Sequence, residues 1–157
     1  MGLDYGSDIK EFCEAKLLKN YRNIEKKDWY GSTWPPNIVH IDLWDLVGGM
    51  SIEFSPGMYS DPDFSAKLWK SGVRVFKGIG KSKVYHFGSK STKRIKTNIG
   101  SNLFLSKWGI TANTFSNQIL KSGKKYKSEL GNIKLSNKYL IKNFAKTMLK
   151  SFSFRKF

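Results

Sequence analysis

Glycine and proline divide the middle of this chain into short pieces. Pro35-Pro36, Gly48-Gly49, Pro56-Gly57, Pro62, Gly72 and Gly109 stop helices and interrupt ladders, because proline lacks an N–H donor and glycine favours turns. Only elements of a few residues to a few turns fit between them. Ahead of this region, residues 8–24 place Ile9, Phe12, Cys13, Leu17, Tyr21 and Ile24 at helical spacing, which predicts an amphipathic helix capped by Ser7 or Asp8. Ile38-Val39-His40-Ile41 reads as a buried strand or extended segment. Asp42 is placed to cap a helix over 43–47 that Gly48-Gly49 ends. Asp61 and Pro62 open a helix over 63–70 with Phe64, Leu68 and Trp69 facing inward. Residues 73–79 and 82–87 alternate as strands.

Beyond a polar, basic loop at 89–98, an apolar stretch at 103–108 stops at Gly109, and a polar region spans 111–132. The last segment has the clearest pattern. Tyr139, Leu140, Ile141, Phe144, Ala145, Met148, Leu149 and Phe152 fall on one side of a helix, and Lys138, Lys142, Lys146 and Lys150 on the other. That arrangement suits either a helix covering a sheet or one docked on an anionic membrane surface.

Charge is distributed unevenly. Residues 1–64 hold 6 Lys+Arg against 11 Asp+Glu, whereas 65–157 hold 22 Lys+Arg and a single acid, Glu129. The basic portion favours anionic partners: phosphates, nucleic acid or acidic lipid. It also fits a solvated lysine-rich surface, since 24 of the 28 basic residues are Lys. The 39% hydrophobic content is enough for a core. No apolar run approaches the roughly 20 residues of a membrane span. Residues 1–10 lack an apolar signal region. One cysteine, Cys13, excludes an internal disulfide framework and reads as a small buried hydrophobe. A reducing, cytoplasmic setting with peripheral membrane attachment is expected.

The block from 38 to 107 carries the chemistry. Its landmarks are Val47-Gly48-Gly49-Met50, Tyr59-Ser60-Asp61-Pro62-Asp63-Phe64, Lys70-Ser71-Gly72-Val73-Arg74-Val75, Val84-Tyr85-His86 and Ser89-Lys90-Ser91-Thr92. Their order over residues 30–110 resembles the carboxyl-terminal, acceptor-side half of a family 2 glycosyltransferase of the GT-A fold. The resemblance implies an α/β fold: a partial GT-A-like mixed sheet flanked by helices over 1–110, followed by a basic amphipathic helical tail over 111–157. It also implies an inverting transfer of a sugar from a nucleotide-sugar donor to a glycan or lipid-linked acceptor, with Asp61 as catalytic base. A carboxylate at a helix start is exposed and rigidly held, as proton abstraction requires; the same position also suits a simple helix cap. Asp63 is expected either to bind acceptor or to support the site from behind. His86 resembles the histidine that completes a divalent-metal site (Mn²⁺ or Mg²⁺) in some members. Lys90, Lys93 and Arg94 are expected at the diphosphate, and Trp34, beside Pro35-Pro36, at a sugar face. His40 and Trp44 read as structural.

The sequence departs from the family pattern in two places. Ser60 stands where many relatives carry Glu. The amino-terminal nucleotide-binding half, with its own DxD, has no counterpart here, and no glycine-rich phosphate loop replaces it, so a missing half or a partner subunit is implied. No Q-x-x-R-W element is present, which argues against a processive synthase. Two further readings compete. One is a nucleic-acid-binding protein that uses the basic portion with Tyr85, Phe87, Trp108 and Tyr126 as stacking surfaces. The other is an inactive glycosyltransferase-like subunit.

Overall fold

The computed structural model describes residues 4–55, 58–87 and 99–154. In chain order these form α1 (Glu14–Asn20), β1 (Trp29–Tyr30), α2 (Ile41–Val47), α3 (Ser60–Lys70), β2 (Lys77–Gly78), α4 (Gly100–Trp108), α5 (Ala112–Thr114) and α6 (Asn137–Phe154). Short 3₁₀ turns lie at Tyr21–Asn23 and Ile52–Phe54, and α5 runs into a π-helical turn at Phe115–Ile119.

The expected mixed sheet is not found. The protein is mostly helical, with six helices, 46% helix and 4% strand among the described residues. The sheet is one antiparallel pair, with Trp29 opposite Gly78 and Tyr30 opposite Lys77. The β-branched runs at 38–41, 73–79 and 82–87 form no strand beyond Lys77–Gly78, and Ile41 belongs to α2. Ile38, Val75, Ile79 and Val84 are more than half exposed. β-propensity sets an extended backbone, whereas a ladder needs a partner strand about 4.8 Å away. Among the described residues, only the segment around Trp29 and Tyr30 supplies one.

Helix α3 is the centre of the fold. Asp61 and Asp63 lie in its first turn and Lys67 and Lys70 in its last, which complements the helix dipole at both ends. Pro62 sits in the first turn, where a missing N–H costs nothing. The helix ends when Val73 N donates to Leu68 O (3.0 Å) and Gly72 turns left-handed at φ 100°. It buries Phe64, Ala66 and Leu68 against Phe54, Phe76, Phe104, Phe115, Ile119, Leu120 and Leu130. The polar segment 111–132 therefore supplies several core side chains. Trp44 on α2 packs edge-on against Phe64, with ring centroids 5.2 Å apart.

Other helix starts differ from the sequence expectation. α1 begins at Glu14, because Asp8 Oδ1 instead accepts from Lys10 N and Glu11 N in a local turn. Cys13 is exposed at that start, not buried. α2 is capped by His40, whose Nδ1 accepts from Asp42 N (3.3 Å); Asp42 itself lies within the first turn. Tyr85 ties the amino-terminal turn to segment 82–87: its hydroxyl donates to Gly6 O (2.7 Å) and accepts from Tyr5 N (2.9 Å).

Candidate functional site

The loop after β1 is fastened to the first turns of α3. Buried Thr33 donates through Oγ1 to Asp61 O (2.6 Å), shares a hydrogen bond with Ser65 Oγ (2.8 Å), and donates through its backbone N–H to that same oxygen (3.0 Å). Asn37 Nδ2 closes the loop onto Thr33 O (2.8 Å). Small hydroxyl side chains allow this close approach of loop and helix. They bring the segment that carries Trp34 and the cis peptide Pro35-Pro36 to the turn that carries Asp61.

Trp34 and Asp61 both line an open groove of ≈ 1580 Å³. Trp34 is 58% exposed. The rings of Trp29 and Trp69 are covered by Lys26 (3.6 Å) and Arg74 (3.9 Å); among the described residues Trp34 carries no such cover. Asp61 is half-buried and its carboxylate is unpaired among the described residues, so burial alone pushes its pKa above the ordinary aspartate value. Tyr59, two residues ahead, holds φ at 73°, a left-handed conformation that is costly for an aromatic residue. Two groove residues that the sequence did not single out, Ser32 and Ser122, have buried hydroxyls with no hydrogen-bond partner. An unmatched buried hydroxyl costs about 1–3 kcal/mol. Nothing in residue type marks these two.

Comparison with family models, curated proteins and solved structures finds no match. The chemistry must therefore be argued from the side chains themselves.

Asp63 is not in the groove. It is 0% exposed and fully engaged, accepting from Ser51 Oγ (2.6 Å) and Trp108 Nε1 (2.8 Å) and pairing with Lys107 Nζ (3.0 Å). Lys107 also reaches Glu53 (2.7 Å), and Lys67 donates to Gly49 O (2.7 Å) and Ser51 Oγ (3.1 Å). Burial by itself lowers the Lys107 pKa, but its bonds to Glu53 and Asp63 outweigh this and raise it. These groups clamp α3, α4 and the Ile52–Phe54 turn together, so Asp63 supports the site from behind. Two carboxylates two residues apart lie on opposite sides of a helix turn, and the sequence alone gave no way to tell the lining one from the buried one.

His86 is exposed and is not among the residues lining the groove. Among the described residues, no three His, Cys, Asp or Glu side chains come close enough together to hold an ion. None of the described residues joins His86 in a divalent-metal centre, and no step is routed through one. Lys90, Lys93 and Arg94 lie outside the described residues.

Proposed function

We propose that this chain provides the acceptor side of an inverting glycosyltransferase, in which a sugar passes from a nucleotide-sugar donor to a glycan or lipid-linked acceptor. The observation that carries the reading is an unpaired, half-buried carboxylate, Asp61, in the same groove as an uncovered indole, Trp34. Flat rings stack on the apolar faces of sugars.

In the reaction, the acceptor hydroxyl loses its proton to Asp61 as its oxygen attacks the anomeric carbon. The bond from that carbon to the nucleoside diphosphate breaks on the opposite face, and the diphosphate leaves with the electron pair. Desolvation makes Asp61 a stronger base than a solvated aspartate, as general-base catalysis favours. The basic stretch with Lys90, Lys93 and Arg94 is the part of the sequence best suited to neutralise the departing diphosphate.

Two measurements test this. Neutral oligosaccharides should perturb tryptophan emission in the parent protein but not in Trp34→Ala. With a panel of nucleotide sugars and the oligosaccharides that bind, transfer should be lost in Asp61→Asn while binding persists. If no saccharide binds, or if Asp61→Asn transfers at the parent rate, the assignment is wrong.

A further inference from the structure

Helix α6 is bonded to the rest of the protein by its polar side. Asn143 is buried; its Oδ1 accepts from Thr111 N (3.0 Å) and Thr114 Oγ1 (3.3 Å), and its Nδ2 donates to Tyr139 O (2.7 Å). The apolar side points away from the core. Ile141 is 69%, Phe144 63% and Leu149 70% exposed, and Leu140 and Met148 are more than two-fifths exposed. At about 100° per residue, these five side chains form an arc centred about 150° from Asn143. A helix that merely covers a core does the opposite, burying its apolar stripe. An apolar surface of this kind marks a contact with something else.

The charges indicate what that contact is. Lys138, Lys142, Lys146 and Lys150 run along the helix, Lys138 and Lys142 beside Leu149 at the edge of the apolar arc, and residues 130–157 contain no Asp or Glu. A second copy of the helix would bring two such acid-free lysine rows together, which is repulsive. A surface rich in phosphate with an apolar interior complements both features at once. No helix among the described residues is long and apolar enough to cross a membrane.

The geometry points to α6 as an interfacial helix that lies on an anionic lipid bilayer, with its apolar side at the acyl boundary and Lys138 and Lys142 among the headgroup phosphates. This does not depend on the role of Asp61. It has a positional consequence, however. Thr111 and Thr114, which hold Asn143, are interleaved with Ala112, Asn113 and Ser116, which line the groove. A docked α6 would hold that end of the groove close to the lipid surface.

Flotation of the full chain with phosphatidylcholine vesicles, with and without one third phosphatidylserine, tests the inference. The protein should float with the anionic vesicles and remain largely behind with the neutral ones. Lys138→Gln with Lys142→Gln should weaken partitioning about twenty-five-fold, about fivefold for each charge near the surface. Phe144→Ser with Leu149→Ser should weaken it by more than about tenfold, with an unchanged far-UV circular dichroism spectrum and melting curve, because both side chains are exposed in the fold. Failure to float, or equal flotation with neutral vesicles, overturns the inference. So does flotation that survives the Phe144 and Leu149 changes, which would be plain adsorption of the basic portion. A concentration-dependent dimer abolished by those two changes would assign the face to self-association instead.

Discussion

Replacing Lys107 with Met would test the polar clamp behind the groove most directly. The change keeps the length of the side chain and removes the ammonium 3.0 Å from Asp63, which is 0% exposed. Breaking a buried ion pair on one side typically costs about 3–5 kcal/mol, because the remaining charge is left uncompensated. Two features put the loss at the low end of that range. Asp63 keeps its hydrogen bonds from Ser51 and Trp108, and Lys107 is itself 31% exposed. The partly exposed Glu53 pair adds at most about 1 kcal/mol. The expected loss is therefore about 3 kcal/mol, a large share of the roughly 5–15 kcal/mol that holds a domain together. Urea unfolding followed by tryptophan emission and circular dichroism would measure it, with Lys107→Arg retaining most of the stability. Because the Lys107 pKa is raised on folding, its stabilisation is full below the unfolded lysine pKa. It fades as pH rises through the folded value, so parent and Lys107→Met should converge in alkali. The decisive experiment is the cycle with Asp63→Asn. Removing the carboxylate's charge should make the loss of the ammonium much cheaper, with a coupling of about 2 kcal/mol. Effects that add within roughly 0.5 kcal/mol would refute the claim that these groups are energetically linked.

Three more predictions concern single positions. Asp61→Asn should leave stability at neutral pH unchanged or higher: a carboxyl raised on folding loses stability as pH climbs from its unfolded to its folded pKa, and Asn removes that loss. A clear drop in the urea midpoint would mean that the carboxylate has a partner after all. Asp28 behaves oppositely. The hydrogen bond from Lys77 and then the Gly80 N–H lower its pKa, so its stabilisation is present above the ordinary aspartate range and is lost as pH falls through the folded value. Asp28→Asn should therefore destabilise at pH 7 and match the parent in strong acid, and a gap that stays constant with pH would contradict this. Gly80→Ala would place a Cβ 1.8 Å from Lys26 O, a backbone atom that cannot move aside. It should cost about 2 kcal/mol or more, and a parent-like unfolding midpoint would show that the loop can yield.

Local chemistry was readable wherever it depends on neighbours in the chain. The helices of α3 and α6 follow from their apolar spacing and α2 and α3 end at the glycines that follow them; the apolar stretch 103–108 stops at Gly109 as expected, but its sequence did not mark it as part of a helix that begins at Gly100. Asp61 near a helix start followed from local signals and from the resemblance, but not as the expected cap: α3 begins at Ser60 after Tyr59, and Asp61 lies inside its first turn. Pairing was not readable. The alternation at 73–79 and 82–87 points to strands, but the sequence cannot say whether a neighbouring strand lies within hydrogen-bonding distance, so a mixed sheet was expected where only Lys77–Gly78 is paired.

Side-chain direction was the other gap. Only the packed structure sends Asp63 inward to Lys107 and leaves its neighbour Asp61 unpaired in the groove. It also anchors α6 through Asn143, so that the stripe, which could equally have covered a sheet, faces outward. Sequence by itself determined which backbone conformations are affordable and which residues could carry charge or stack on a ligand. Tertiary contact decided which of those groups are spent on holding the fold and which are left free, because burial and hydrogen-bond partners come from residues tens of positions away.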